Sequence, residues 1–249
     1  MADRDGPQVP AARIDPADRS ALEESLAAAG VERALGMRLA EYGARVLAAG
    51  RTTNLTGART PQALAEHLLD SLTLVPYVRG PLVDVGAGAG LPGIPLALAC
   101  GISVTLVESQ RKKARFLAEA LEALALDGEV VAERAEVAAR DARLRERFAA
   151  GTARALGSAP TVAEFVLPFI APGGVALLQR GALAERERIA LADACLVLGG
   201  ELEAEVPLAG ERRILIVRKI APTPKRFPRR SGVPGSRPLC GNGRTSAEP

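Results

Sequence analysis

Apolar side chains recur at helical spacing in the first third of the chain. One such stripe predicts a helix that ends at Gly50. Thr60 followed by Pro61 is a helix start signal, because threonine caps the first turn and proline fits the first helical position. We therefore expect a helix from there to about Val78, within an N-terminal helical segment over residues 15–80.

After Pro81 the pattern changes to short apolar runs that alternate with amphipathic stretches. Such alternation is typical of an α/β fold built from βαβ units, with a parallel sheet covered by helices on both faces. The last two runs are close enough in sequence for a hairpin, so we expect the final strand to run antiparallel to the others. The predicted strands are Leu82–Val85, Ile102–Val107, Glu129–Ala132, Gly151–Ala155, Val175–Leu178, Leu202–Val206 and Ile214–Val217.

The two ends of the chain lack both patterns. Residues 1–14 contain proline, glycine and charge without periodicity, and we expect them to be disordered. Residues 221–249, the C-terminal tail, are rich in proline and basic side chains. Because proline is disfavoured inside helices and central strands, we expect the tail to lie extended on the surface. The α/β domain would then occupy residues 81–220.

Charge is distributed unevenly along the chain, whose formal net charge is +3. From Arg218 onward there are eight basic residues and one acidic residue, which leaves 24 basic and 28 acidic residues elsewhere. Clustered cations favour a polyanionic partner, since binding releases condensed counterions. A solvated, disordered end is an equally good explanation of the charge alone.

Other features exclude several classes of protein. No apolar run is long enough to span a membrane, and the first ten residues lack the order of a secretory signal, so we expect a cytoplasmic protein. Cys100, Cys195 and Cys240 are isolated from one another, and His67 is the single histidine. We therefore expect neither a disulfide framework nor a metal site.

The segment VDVGAGAGLPG, residues 83–93, lies between a predicted strand and a predicted helix. A nucleotide-type cofactor binds at this position in α/β sheets. From Gly88 the segment matches the G-x-G-x-x-G fingerprint of nicotinamide and flavin proteins, and Glu108 follows at the distance of a ribose-binding acid. An alternative role for Glu108 is to head the next helix, near Gln110, where the helix dipole stabilises an acid. The glycine pattern alone leaves the cofactor class open.

Asp84 separates the two cofactor classes. It lies two residues before Gly86, and we expect it at the mouth of the site. A dinucleotide would place its anionic pyrophosphate near this carboxylate, which makes binding less favourable. S-adenosylmethionine instead carries a sulfonium and an ammonium group, so an acid is favourable there. We therefore favour S-adenosylmethionine as the cofactor.

Five segments of the chain carry a family resemblance: NLTGARTPQALAEHLLDSL, LVDVGAGAGLPGIPLAL, LVESQRKKARFL, ARAL and KIAPTPKRFPRRSGVPGSRPLC. Over about residues 45–240 the chain resembles the RsmG (GidB) family of 16S rRNA guanine-N7 methyltransferases. The resemblance implies a Rossmann-like class I methyltransferase fold with a seven-stranded sheet. It also implies S-adenosylmethionine as methyl donor and a guanosine in a conserved loop of bacterial 16S rRNA as acceptor. Free rRNA and the small ribosomal subunit are both possible substrates, and we expect a monomer.

The resemblance further implies roles for single residues. Ala135 and Glu136 of the segment ERAE would frame the adenine, and Arg154 of ARAL would lie beside the reactive end. From its chemistry we expect Arg154 to be the catalytic residue, as an anchor for guanine O6 or a phosphate, and the alternative is an ordinary salt-bridged arginine at a strand end. With the residues singled out above, the expected cofactor-binding set is Asp84, Gly86, Gly88, Leu91, Glu108, Ala135, Glu136 and Arg154. The residues expected to bind RNA are Lys225, Arg226, Arg229 and Arg230.

The expected chemistry needs no catalytic base. Guanine N7 has a lone pair and no proton, so its attack on a sulfonium methyl group requires alignment alone. The roles of His67 and Arg180 stay open. Three alternative functions are a methyltransferase of a protein or small molecule, a nicotinamide oxidoreductase, and a non-catalytic RNA-binding protein.

Overall fold

A computed structural model describes residues 13–240 and 244–245. Most of the segment expected to be disordered, residues 1–12, lies outside the described residues, as do positions 241–243 and 246–249 of the tail. The chain separates into two compact units, divided between Glu66 and His67. No helix in the described ranges is long and apolar enough to cross a membrane.

The first unit is helical, as the periodicity predicts. Its helices are α1 Pro16–Ala28, α2 Arg33–Gly50 and the beginning of α3 Pro61–Leu72. Asp15 caps α1 by accepting a hydrogen bond from Ala17 N at 2.9 Å. Fully buried Leu22 and Leu26 on α1, and Leu39 and Tyr42 on α2, lie where these two helices pack against each other.

The start of α3 is confirmed, but its predicted end is wrong. Thr60 Oγ1 accepts a hydrogen bond from Ala63 N at 3.3 Å, as a capping residue does. The α-helix then ends at Leu72 and a short 3₁₀ turn covers Val75–Tyr77. Pro76 explains the difference, because it has no N–H to donate to the carbonyl of Leu72.

The second unit contains a seven-stranded sheet within the described residues, in the order β3-β2-β1-β4-β5-β7-β6. Neighbouring strands from β3 to β5 are parallel, and β7 runs antiparallel to both β5 and β6. The expected antiparallel last strand is confirmed. The strands are β1 Leu82–Val85, β2 Val104–Val107, β3 Gly128–Val131, β4 Phe148–Arg154, β5 Ile170–Arg180, β6 Gly200–Pro207 and β7 Arg213–Lys219.

Helices and a small second sheet complete this unit. The helices are α4 Gly93–Cys100, α5 Arg111–Ala123, α6 Ala135–Ala138, α7 Ala159–Val166, α8 Glu185–Val197 and α9 Val233–Ser236. Near the end of the chain β8 Leu239–Cys240 pairs with β9 Arg244–Thr245. All four residues of β1 and of β2 are buried, as expected of central strands covered on both faces.

The strand order places a switch point beside β1. The chain moves outward from β1 to β3 on one side and then returns to β4 on the other side of β1. In open α/β sheets a crevice forms at such a point, outside the carboxyl ends of the strands. Val85 and Arg154 end β1 and β4, so the residues that follow them face this crevice.

The prediction for the C-terminal tail is wrong. Instead of lying extended on the surface, the tail buries Thr223, Phe227 and Leu239 and forms the single turn α9. Phe227 and Leu239 are part of an apolar core cluster that also includes residues of β1, β4 and β5. The proline at the second position of α9 is compatible with a helix, because N–H groups in the first turn have no helical partner.

Candidate cofactor pocket and active site

The loop after β1 depends on glycine for its backbone path. Gly86, Gly88 and Gly90 have φ angles of +70°, +59° and +96°, a left-handed region that residues with a Cβ rarely adopt. At Gly86 a Cβ would also lie 2.4 Å from a methyl group of Leu156. The loop therefore brings bare backbone to the crevice at the end of β1.

Glu108 connects this loop to the end of the neighbouring strand. It follows β2 directly and is 6% exposed. One carboxylate oxygen accepts a hydrogen bond from Gly88 N at 3.0 Å, and the other accepts one from Gln110 N at 2.7 Å. The contact with Gln110 places the acid at the head of α5. Glu108 can therefore both head this helix and bind a ribose, the two roles considered from the sequence. Each oxygen keeps a lone pair with which it can accept a hydrogen bond from a ribose hydroxyl.

Asp84 is not at the mouth of the site, contrary to expectation. It is 1% exposed, and its carboxylate accepts hydrogen bonds from Gly93 N at 3.0 Å and from the Thr152 hydroxyl at 3.1 Å. Burial raises the pKa of Asp84 to about 6, against the effect of these hydrogen bonds. The alternation of the strand turns the side chain beneath the loop, where it fixes α4 to β1 and β4.

A cavity of about 240 Å³ opens at the carboxyl ends of β1 and β2. Gly86 and Ser109 line one side of it, and Ala135 and Glu136 line another. Of the expected cofactor set, Gly86, Ala135 and Glu136 therefore meet around one cavity. Gly88, Leu91 and Asp84 lie in or under the loop without lining it, and Glu108 reaches the loop through Gly88.

The tail forms a wall of the same cavity that the sequence analysis missed. Gly232 and Gly235 line it, and the Gly232 N–H donates a hydrogen bond to Glu136 Oε1 at 2.8 Å. Glu136 is 5% exposed, so this contact with the tail is a buried one. The two glycines are the one sequence signal available, because a backbone without side chains is suited to close approach.

Arg154 lies at the end of β4 within a polar cluster. One guanidinium nitrogen is 2.8 Å from His67 Nδ1, and another is 3.4 Å from Asp70 Oδ2. The second oxygen of Asp70 accepts a hydrogen bond from Arg212 at 2.8 Å. His67 and Asp70 lie three residues apart and share a helix face, as their spacing predicts. The position of Arg212 had no sequence signal.

One of the four predicted RNA-binding residues points inward. The Arg229 guanidinium donates hydrogen bonds to both carboxylate oxygens of Glu164, with the closest contact at 2.6 Å. Glu164 is fully buried and the Arg229 side chain is 16% exposed. Arg229 is therefore held by a structural ion pair, which the other three lack among the described residues, and its expected contact with RNA stays a prediction. Lys225, Arg226 and Arg230 are exposed.

Arg180 also has a structural partner. Its guanidinium pairs with Glu187 Oε1 at 3.1 Å and donates a hydrogen bond to the Gly157 carbonyl. The Glu187 carboxylate in turn accepts a hydrogen bond from Ala159 N at 2.8 Å, at the beginning of α7. These contacts connect the end of β5 to α7 and α8.

Comparison with known proteins identifies a close set of relatives. Residues 37–216 match the family model GidB, described as rRNA small subunit methyltransferase G. A protein of Rubrobacter xylanophilus named ribosomal RNA small subunit methyltransferase G is 40% identical over 241 residues, which cover 90% of this chain and 92% of the relative. A protein of Pelotomaculum thermopropionicum with the same name is 42% identical over 211 residues, covering 80% of this chain and 88% of the relative.

Solved structures are more distant. A complex of MtNAS with S-adenosylmethionine covers 84% of this chain and 85% of its own, at 17% identity and a TM-score of 0.49. A likeness at this level has no bearing on function.

Proposed function

This chain belongs to the GidB family of small subunit rRNA methyltransferases G, and from that premise we propose that it methylates N7 of a guanine in bacterial 16S rRNA, with S-adenosylmethionine as the donor. The family expected from the sequence motifs is thereby confirmed. Membership of this family disfavours two of the alternative functions, a nicotinamide oxidoreductase and a methyltransferase of a protein or small molecule.

The observation that carries the proposal at the level of the site is the cavity between the glycine loop and α6. Its position outside β1 and β2, beside a switch point, suits an adenosine group. Gly86 permits close approach of the backbone, and Glu108 beside it has lone pairs for a ribose diol. These residues fit S-adenosylmethionine, which supplies an electrophilic methyl group on a sulfonium when bound.

Asp84 supports the loop from below in this proposal. Its carboxylate accepts hydrogen bonds from the Gly93 N–H and the Thr152 hydroxyl, which holds the loop and α4 in place. Its negative charge also favours binding of a cationic cofactor over an anionic one, without direct contact. The charge of Asp84 thus favours S-adenosylmethionine through space and not by direct contact.

Arg154 is the residue proposed to contact the acceptor base. Contacts with His67 and Asp70 hold the guanidinium at the end of β4, and its side chain keeps 22% of its surface exposed. From there it can donate hydrogen bonds to guanine O6 or to a phosphate. Because a guanidinium can only donate, His67 Nδ1 is the acceptor of this hydrogen bond.

RNA binding is proposed to involve the exposed tail cations Lys225, Arg226 and Arg230. Arg226 lies 5.0 Å from the ring centre of Phe227, whose side chain is buried. The buried ring anchors the backbone beneath the cations, which can then contact phosphates of a folded rRNA. We propose action as a monomer in the cytoplasm, on free rRNA or on the small subunit.

The test is methylation of defined substrates. Free 16S rRNA and assembled small subunits are each incubated with labelled S-adenosylmethionine, and the modified base is mapped. The proposal predicts one labelled guanine whose modification is at N7. Labelling of another ring position, or no labelling of either substrate by a protein that binds the cofactor, would contradict it.

A further inference from the structure

Two buried carboxylates of the α/β domain both accept hydrogen bonds from the C-terminal tail. Glu164 on α7 is fully buried and accepts hydrogen bonds from the guanidinium of Arg229 and also from its backbone N–H, at 2.8 Å. Glu136 on α6 is 5% exposed and accepts the Gly232 N–H. The two attachment points, Arg229 and Gly232, are therefore only three positions apart in the chain.

The contact between Arg229 and Glu164 is the stronger of the two. Both oxygens of a fully buried carboxylate are bound by one planar guanidinium, an arrangement that combines charge with fixed geometry. A buried carboxylate without such a partner is strongly unfavourable, so the tail has to return to this position whenever the protein is folded. The pair therefore determines where the following residues run.

Those following residues form part of the cofactor cavity. Gly232 has a φ of +84° and points its N–H at Glu136, and the Thr161 hydroxyl holds the next turn by donating to the Pro234 carbonyl at 2.9 Å. Gly232 and Gly235 line the cavity together with Gly86 from the glycine loop. One wall of the cavity thus depends on an ion pair that is not itself among the lining residues.

We propose that Arg229 and Glu164 are positioning residues for cofactor binding, which hold the Gly232–Gly235 wall against S-adenosylmethionine. The inference rests on the function proposed above. It divides two adjacent arginines between two tasks: Arg229 acts on the cofactor through the wall, and exposed Arg230 acts on RNA. The basic tail is then both an RNA-binding element and a part of the cofactor pocket.

The test compares matched variants of neighbouring residues in the full-length protein. Glu164→Gln combined with Arg229→Met removes the ion pair without leaving a buried charge, and it keeps an acceptor for the backbone N–H of residue 229. We expect its Kd for S-adenosylmethionine, measured by calorimetry, to rise about tenfold. Arg230→Met should leave that Kd within about twofold and raise KM for rRNA, since its side chain contributes to phosphate binding.

A folded double variant with the wild-type Kd for S-adenosylmethionine would overturn the inference. Wild-type protein that does not bind the cofactor would instead refute the proposed function, so the two failures are distinguishable.

A second measurement needs no variant. Hydrogen exchange of the wild-type peptide that contains Gly232 is compared with and without S-adenosylmethionine. The inference predicts exchange slowed about tenfold or more by the cofactor, because the wall closes one side of its site. Unchanged exchange in this peptide, with binding verified in the same sample, would overturn the inference even if the double variant does not fold.

Discussion

The glycine loop and the C-terminal tail form facing parts of one cavity, and buried acids hold both of them. In the loop, Asp84 and Glu108 accept backbone N–H groups from Gly93 and Gly88. The acids that hold the tail are Glu136 on α6 and Glu164 on α7. Glu136 accepts a backbone N–H from Gly232, and Glu164 also binds the side chain of Arg229. The same device, a buried carboxylate that accepts backbone donors, thus stabilises two segments of different kinds.

The two regions differ in how far apart their partners lie in the chain. Asp84 and Gly93 are nine residues apart and Glu108 and Gly88 are 20 apart, and one distant contact of the loop's acids is that of Asp84 with Thr152, 68 residues away. Glu164 and Arg229 are 65 residues apart, and Glu136 and Gly232 are 96 apart. The loop is therefore held mainly by elements close to it in the chain, whereas the tail is ordered only when the whole domain has folded. We expect the tail to open at a lower free energy than the loop.

The largest effect is expected from a change in the loop, Glu108→Ala. This substitution removes the acceptor of Gly88 N and Gln110 N and the group proposed to bind the ribose. Loss of the two charge-assisted hydrogen bonds that the carboxylate is proposed to make with the ribose hydroxyls should raise the Kd for S-adenosylmethionine about a hundredfold. Calorimetric titration measures this directly. If the Kd rises less in Glu108→Ala than in the double variant of Glu164 and Arg229, the tail contributes more than the loop to cofactor binding, contrary to this prediction.

A smaller effect is expected for Gly86→Ala, for which the chain offers a matched control. Gly86 and Gly101 have similar left-handed φ angles, +70° and +62°, but only at Gly86 would a Cβ meet a neighbour, the Leu156 side chain. Alanine at either position strains the backbone by roughly 1–2 kcal/mol. We expect thermal unfolding to show this loss in both variants, and cofactor binding to weaken, by about tenfold, in Gly86→Ala alone. Equal cofactor affinity in the two variants would mean that the loop does not approach the cofactor.

Removing the exposed tail cations should separate RNA binding from cofactor binding. In the variant with Lys225, Arg226 and Arg230 all changed to Gln, the slope of log affinity for rRNA against log salt should decrease by about two to three, because up to three phosphate contacts are lost. Filter binding over a salt series measures the slope. The Kd for S-adenosylmethionine should be unchanged within about twofold, and a parallel loss of cofactor affinity would show that these cations also support the wall.

The smallest predicted effect is a pH dependence that originates at Asp84. Its pKa is raised to about 6 by burial, so the carboxylate loses its charge as the pH falls through that value. A cationic cofactor should then bind about threefold more weakly at pH 5.5 than at pH 7.0. Asp84→Asn should remove this dependence. A wild-type affinity that does not change over this range would exclude the through-space role of Asp84.

The same pKa shift predicts the sign of a stability effect. Because the folded protein holds the Asp84 proton more tightly than the unfolded chain does, the stabilisation from protonated Asp84 is complete below about pH 4 and is lost as the pH rises through about 6. Denaturant unfolding of the wild type and Asp84→Asn should therefore differ increasingly in favour of the variant from pH 5 to pH 7.5. The opposite trend would mean that burial does not raise the pKa of this carboxyl.

The loop and the tail also differ in how well the sequence predicts them. The bounds of β1 and the glycine loop follow from a short apolar run and from glycine spacing, and the shared helix face of His67 and Asp70 follows from helical periodicity. Each depends on residues close together in the chain. The stop of α3 before Pro76 was equally local and could have been inferred.

The tail could not be predicted in this way. Arg229 and Arg230 are adjacent and chemically identical, and only the fold determines that one of them meets Glu164, 65 residues earlier. Proline content likewise describes the local backbone but not whether Phe227 has a core to enter. The burial of Asp84 was misjudged for a related reason, since its neighbours Gly93 and Thr152 come from two other elements.

A structure of the complex with S-adenosylmethionine is the most direct test of the account. We predict the ribose hydroxyls within hydrogen-bonding distance of Glu108, the adenosine in the cavity beside Ala135, and the segment from Gly232 to Gly235 in contact with it. Cofactor bound outside this cavity, or bound there with the tail segment turned away from it, would contradict the claim that loop and tail together build the cofactor site.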